Sequence, residues 1–337
     1  MVADLGSGLV KPGASRILII GAAGMIGRKL TERLVKEGAD ELILHDVVPF
    51  GENTVVSDLA APGEAEKLLE RRPDLIFHLA AVVSGEAEAD FEKGYRVNLD
   101  GTRRLFEAIR KIQNGYKPRV VFTSSIAVFG APFPEAIGDE FLSAPLTSYG
   151  TQKAISELLL ADYSRRGFFD GIGIRLPTIC VRPGKPNLAA SGFFSGIIRE
   201  PLNGQEAVLP VPESVRHWFA SPRAAMEFLI HASKINTEHL GARRNLSMPG
   251  IAATVGEQIE ALRRVAGDKV ARLIRRQPDP AILRIVEGWP RTFDAQRAAA
   301  LGFRADTSFE EIIRIHIQDE MQTDELPGTP RPRTGSA

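Results

Sequence analysis

Tyr149 and Lys153, four residues apart in "LTSYGTQKAI" (146–155), are of the types that can move a proton on and off a hydroxyl. On a helix this spacing puts both side chains on one face, one turn apart. A protonated ammonium near a phenol favours the phenolate, lowering its pKa from the usual value of about 10. The pair then suits general acid/base chemistry near neutral pH. On its own the pair describes a solvated helix face more readily than a catalytic one, so the surrounding segments decide.

A second group of residues points to a nucleotide. "GAAGMIG" places Gly21, Gly24 and Gly27 just after the apolar run "RILII" (16–20) and at the start of the helical stretch "MIGRKLTERLVKEG" (25–38). Gly21 permits a tight turn, Gly24 lets backbone approach a pyrophosphate, and Gly27 permits close helix–strand contact. With Met25 and Ile26, the loop would offer helix N–H groups and a positive dipole end to phosphate. Asp46 closes "ELILHD" (41–46), 19 residues beyond Gly27. A carboxylate there accepts hydrogen bonds from the adenine-ribose hydroxyls and repels a 2′-phosphate. Val47, Val48 and Pro49 follow, with no arginine beside them, so NAD is expected rather than NADP.

The elements that must position these groups alternate. "LIFHLA" (75–80), "RVVFTSS" (119–125) and "GIGIRLPTICV" (171–181) read as further strands, and 95–112 and 148–165 as helices. Strand–helix alternation predicts an α/β fold: a Rossmann-type, doubly wound parallel sheet covered on both faces. Ser125 ends its strand, at the carboxyl edge where such sheets bind ligands. After Arg182 the texture becomes loop-rich and then mostly helical, which predicts a smaller, interleaved C-terminal substrate lobe. Residues 16–182 would form the NAD-binding domain, 218–248 would return to it, and 183–217 with 249–321 would form the lobe. The Gly-rich stretch 1–15 and the Pro- and Gly-rich stretch 322–337 read as flexible tails.

Bulk composition narrows the partners. The 337 residues carry 42 Lys plus Arg against 42 Asp plus Glu, so no basic excess points to nucleic acid. No apolar run approaches the roughly 20 residues of a membrane span, and the N-terminus lacks a signal-peptide pattern. A lone cysteine, Cys180, cannot form an internal disulfide and fits a reducing, cytoplasmic setting. It lies in the apolar run "TICV" and reads as a buried structural thiol. Six scattered histidines show no metal-ligand spacing.

Taken in order, "GAAGMIG", "HD" (45–46), "SDLA" (57–60), "HLAA" (78–81), "VNLDGT" (97–102), "TSSIAVFG" (123–130) and "YGTQK" (149–153) resemble the motifs of the extended short-chain dehydrogenases/reductases, over about residues 16–321. That resemblance implies a catalytic Ser125, Tyr149 and Lys153. Tyr149 would be the general acid/base. Lys153 would bind the nicotinamide ribose and lower the tyrosine pKa, and Ser125 would hydrogen-bond the reacting oxygen. It further implies that Asp58 and Leu59 flank adenine, that Leu79, Ala80 and Ala81 line the cofactor near the pyrophosphate, and that Pro177 and Thr178 approach the nicotinamide. Asn98 would brace the site backbone beside the cofactor. The helices 95–112 and 148–165 are those through which the family dimerises, so a homodimer is expected.

Departures from the family pattern direct the substrate reading. Ile126 and Ala127 follow Ser125 where the family's dehydratases carry an acidic pair, which argues against water elimination. "VRHWFASP" (215–222) keeps Arg216 but lacks the acidic end of the nucleotide-sugar pattern. "HLAAVVSGEAEADF", "RLPTICVRPGKPNLAASGFFSGIIREPL" and "LPVPESVRHW" instead resemble the branch that oxidises a four-carbon sugar acid, D-erythronate, with NAD. A small carboxylate needs a cationic partner, for which Arg216 stands first, then Arg182 and Arg199, with Lys185 nearby. Ser84 and Asn187 are candidate hydroxyl contacts. A nucleotide-sugar epimerase is the alternative, and a non-catalytic dinucleotide-binding sensor a second one, although a sensor needs none of Ser125, Tyr149 and Lys153.

Overall fold

The computed structural model describes residues 16–51, 53–184 and 191–321. The two terminal tails and the candidate contact Asn187, with Lys185, lie outside the described residues.

Seven parallel strands form the central sheet: β1 (Arg16–Ile20), β2 (Glu41–Asp46), β3 (Thr54–Val56), β4 (Leu75–His78), β5 (Arg119–Ser125), β7 (Asp170–Leu176) and β11 (Asn245–Ser247). Their spatial order is β11-β7-β5-β4-β1-β2-β3. β1 pairs with both β2 and β4, so the strand order reverses there and opens a crevice beyond the carboxyl ends. Side-chain alternation explains why both faces are covered. Ile17 and Ile19 join Phe77, Val121, Ile174 and Phe228 on one face, beneath the helices Met25–Lys36 and Pro222–Lys234. Leu18 and Ile20 join Ile76, Phe106, Phe122 and Leu160 on the other, beneath Gly101–Lys111 and Ser148–Arg165.

Two sequence readings need adjustment. The stretch 171–181 is not one strand. It breaks at Pro177, which has no N–H for a ladder, and β8 (Thr178–Ile179) continues in a different, three-stranded sheet with β10 (Arg216–Ala220) and β12 (Ile251–Thr254). Nor is 95–112 one regular α-helix: Tyr95–Asp100 is a π-helical segment leading into Gly101–Lys111. Asn98 sits in it, with its carbonyl accepting from Thr102 Oγ1 at 2.8 Å and its side chain bonded across to Val82 and Gln152. Such segments occur often at functional sites.

Later segments return to earlier ones through small ladders. β9 (Ala207–Leu209) pairs with β13 (Ile274–Arg276), and β6 (Ile137–Gly138) pairs with β14 (Phe293–Asp294). A separate core of Phe194, Ile198, Phe219, Ile259, Leu262 and Ile313 holds the C-terminal segments together. Ser191, at the start of the helix Gly192–Leu202, and segment 288–290 thereby reach the open end of β5 and β7.

Candidate active site

Ser125 ends β5 and caps the short 3-10 turn Ile126–Val128, accepting from the Ala127 N–H at 3.1 Å. Thr147 caps the helix Ser148–Arg165, accepting from the Gly150 N–H at 3.1 Å, which sets Tyr149 in the first turn. Gly150 makes the close approach possible. A Cβ there would lie 2.1 Å from the Ala127 carbonyl oxygen, so only glycine lets the helix start against the turn that carries Ser125. Lys153, one turn on, is 1% exposed. Its Nζ donates to the Thr123 carbonyl at 2.8 Å and lies 5.8 Å from the Tyr149 ring centroid.

These three residues line a cavity of about 290 Å³ at the carboxyl end of β5 and β7. Burial raises the Tyr149 pKa, while the charge of Arg182 and a hydrogen bond with Ser125 pull it back. The cation opposing burial at Tyr149 is thus Arg182. Lys153 is itself lowered to about 7 by burial, with the charge of Glu157 acting the other way. Glu157 is buried but satisfied: Ser124 Oγ donates to it at 2.5 Å and Arg175 binds both of its oxygens. Cys180 is fully buried, and that burial pushes its thiol to about 12, so it is no nucleophile.

The structure also tests whether a dinucleotide fits. Gly21 has φ +92°, and a Cβ there would lie 2.6 Å from the Ala80 amide nitrogen. A Cβ on Gly27 would lie 2.2 Å from the Gly21 carbonyl oxygen. Gly24 is exposed and caps the helix Met25–Lys36 with no side-chain hydrogen bond, leaving the N–H groups of the first turn open to an anion. Asp46 sits beside this loop, its carboxylate fixed by the Ala23 N–H at 2.9 Å and the Val48 N–H at 3.3 Å. Asp58 pairs with Arg96 and accepts from the Ala60 N–H, and Leu59 is buried beneath Gly101. Ile26, Leu79, Ala81, Pro177 and Thr178 line the cavity, which runs from the loop at Ile26 to Ser125 and Tyr149. The residues present fit a dinucleotide. Asn98 is buried and does not line the cavity; it holds the segment after β4 through Val82.

The three candidate arginines separate. Arg182 lines the cavity, its Nε donates to the Ile179 carbonyl at 3.2 Å, and among the described residues it has no carboxylate partner. Arg199 is buried behind it, donating to the Arg182 carbonyl at 2.7 Å and pairing with Glu200. Arg216 is not among the cavity-lining residues: it donates to the Ala252 carbonyl at 3.3 Å and lies 3.5 Å from Glu257. Strand alternation is the reason, because in β10 the neighbouring His217 takes the cavity side. Ser84 lines the cavity. The sequence reading missed His217, Trp289 and Pro290, all of which line it from later segments, and it missed Gly150. No group of three or more His, Cys, Asp or Glu arranged to hold a metal occurs among the described residues.

Known proteins resemble this chain over most of its length. The family model described as the NAD dependent epimerase/dehydratase family matches residues 17–221. A D-erythronate dehydrogenase of Cupriavidus necator is 47% identical over 90% of this chain and 98% of its own length. A D-erythronate dehydrogenase of Haemophilus influenzae is 42% identical over 91% of this chain and all of its own. A crystal structure from Agrobacterium tumefaciens, described as a nucleoside-diphosphate-sugar epimerase, superposes with a TM-score of 0.88 at 65% identity, covering 95% of this chain and 98% of that one.

Proposed function

Because the chain belongs to the NAD dependent epimerase/dehydratase family, we propose that it oxidises D-erythronate at C2 to the 2-oxo acid, with NAD as its cofactor. One observation carries this reading. Ser125, Tyr149 and Lys153 share their cavity with Arg182, a half-buried cation that lacks a carboxylate partner among the described residues. A carboxylate leaving water for such a site needs a charged partner, or desolvation costs several kcal/mol. The near-full-length similarity to two D-erythronate dehydrogenases supports the same substrate.

In this mechanism Tyr149, as phenolate, takes the C2 hydroxyl proton, and Ser125 donates a hydrogen bond to the same oxygen as its charge grows. Lys153, anchored on the Thr123 carbonyl, would bind the nicotinamide ribose. Arg182 would bind the carboxylate, and its charge opposes the rise that burial gives the Tyr149 pKa. NAD, when bound, supplies the acceptor for the hydride that leaves C2. The loop Gly21, Gly24, Met25, Ile26 and Gly27 would hold its pyrophosphate and Asp46 its adenine ribose. Asp58 and Leu59 would flank adenine, Leu79, Ala80, Ala81 and Asn98 would shape its channel, and Pro177 and the backbone of Thr178 would meet the nicotinamide, leaving the Thr178 hydroxyl to the substrate. Ser84 would contact a substrate hydroxyl. The same reading assigns 16–182 and 218–248 to the cofactor domain and 183–217 with 249–321 to the substrate lobe. It also takes the exposed Leu158 on the helix Ser148–Arg165 as part of a homodimer face.

The test follows absorbance at 340 nm with D-erythronate, L-threonate, UDP-glucose and UDP-galactose, each with NAD. NADH from D-erythronate is expected. Arg182→Met should raise KM for the acid by about 10²-fold and leave KM for NAD close to wild type. The similarity to the structure described as an epimerase favours a second reading, nucleotide-sugar epimerisation. Interconversion of the UDP-sugars with no NADH from any acid would establish that one instead.

A further inference from the structure

His217 is 2% exposed, and both of its ring nitrogens are engaged. Nδ1 lies 2.8 Å from the Pro290 carbonyl oxygen, and Nε2 lies 2.6 Å from Thr178 Oγ1. A carbonyl oxygen only accepts, so Nδ1 carries the hydrogen. The ring packs among Phe194, Phe219 and Trp289, with the Phe194 ring stacked at 5.2 Å. No charged side chain is among these ring partners, and burial lowers the imidazole to about 4, so the ring is neutral. Nε2 is then a bare acceptor, and the Thr178 hydroxyl donates to it. The hydroxyl has a single hydrogen, which is committed to His217, and what remains on the cavity side is lone pairs. Thr178 lines the cavity together with Arg182 and Tyr149.

We infer that His217 is a positioning residue that makes the Thr178 hydroxyl an obligate acceptor, and that this acceptor receives the hydrogen of a substrate hydroxyl at C3 or C4. This rests on the sugar-acid reading above. It adds a polarity to the cavity. Arg182 can take a carboxylate and cannot accept a hydrogen; Thr178 can take a hydroxyl and offers nothing to a carboxylate. A polyhydroxy acid is thereby read end from end, and an acid without that hydroxyl loses the contact. A site built to hydrogen-bond a hydroxyl rejects the analogue lacking it far better than an apolar pocket rejects an added group.

Two measurements test it. With 15N-labelled histidine, the His217 signals, assigned by their loss in His217→Gln, should show the neutral Nδ1–H tautomer at pH 6. An Nε2–H tautomer or a doubly protonated ring would overturn the inference without any turnover assay. Kinetics then compare D-erythronate with 2,4-dihydroxybutanoate and 2,3-dihydroxybutanoate, which lack the C3 and the C4 hydroxyl. Thr178→Val should raise KM for D-erythronate about tenfold with little change in kcat, and Thr178→Ser should restore it. On one of the two deoxy acids, Thr178→Val should cost nothing further, because the contact is already gone. Equal losses on all three acids would overturn the inference, and so would a matching rise in KM for NAD, which would assign the acceptor to the cofactor. Absence of NADH with the wild-type protein and every acid would be a different failure, that of the sugar-acid reading itself.

Discussion

Two helices cover the same face of the central sheet and obey opposite rules. Gly101–Lys111 is amphipathic in the ordinary sense: Leu105, Phe106, Ala108 and Ile109 are buried, and Arg103, Arg104, Arg110 and Lys111 are exposed. Ser148–Arg165 buries Gln152, Lys153, Ser156 and Glu157 and leaves Leu158 72% exposed. Burial of apolar surface accounts for the first helix. It cannot account for the second, where charged groups leave water and must be met by the Thr123 carbonyl, Ser124 and Arg175. The contrast teaches that the first helix is built for stability, whereas the second gives up stability to hold a lysine and a tyrosine at the end of β5.

Exchanging one residue in each helix should separate activity from stability. Tyr149→Phe should lower kcat by about 10²–10⁴-fold, the usual worth of a positioned acid/base. Thermal stability and NAD affinity should stay near wild type, as read by a melting curve and by calorimetric titration. Phe106→Ala should do the reverse, costing about 3–5 kcal/mol of stability in urea unfolding. A Tyr149→Phe protein that kept more than about a hundredth of wild-type turnover would remove the reason for the inverted pattern.

Lys153 sharpens the comparison through pH. Burial lowers it from 10.5 to about 7, so between these values the unfolded chain holds a proton that the folded protein releases. Stability from this residue is therefore fully suppressed below about pH 7 and recovers as pH rises toward 10.5. Lys153→Met removes that dependence. The variant should gain on wild type by a few kcal/mol at pH 6 and lose most of that advantage by pH 10, while losing turnover at both. Urea midpoints at the two pH values measure this, and a constant difference would contradict it.

The smallest effect is expected at the exposed end of the inversion. Leu158→Asp should change the stability of the folded subunit by less than about 0.5 kcal/mol. If Leu158 lies in a homodimer face, the same change should shift the protein toward monomer in light scattering after size exclusion. An unchanged mass would place Leu158 outside any dimer interface.

The loop after β1 and its carboxylate could be read from residue order because their contacts are local. Gly21, Gly24 and Gly27 lie within seven residues, and Asp46 is brought to them by one strand–helix–strand unit. The helix 148–165 was legible because its helical stretch and the four-residue Tyr149–Lys153 spacing are written in consecutive residues. The substrate side was less legible. Gly150 reads as a weak helix residue until the Ala127 carbonyl, 23 positions away, is seen at its back. Arg216 reads as a ligand candidate until the register of β10 turns His217 to the cavity instead. His217 reads as one of six scattered histidines until Pro290, 73 positions on, accepts its hydrogen.

The sequence by itself determined the fold class, the glycine loop after β1, the acidic residue at the end of β2, and the Ser, Tyr and Lys types with their order. Period-two and period-3.6 patterns and short-range turn chemistry carry the fold and the loop, both properties of neighbouring residues, while the ordered motifs shared with the family carry the Ser, Tyr and Lys. Only the tertiary structure decided which arginine faces the cavity, how deeply Lys153 is buried, and which tautomer His217 holds. These depend on dielectric surroundings and on partners drawn from distant segments, and a charge or a proton position is set by what surrounds the group rather than by what precedes it in the chain.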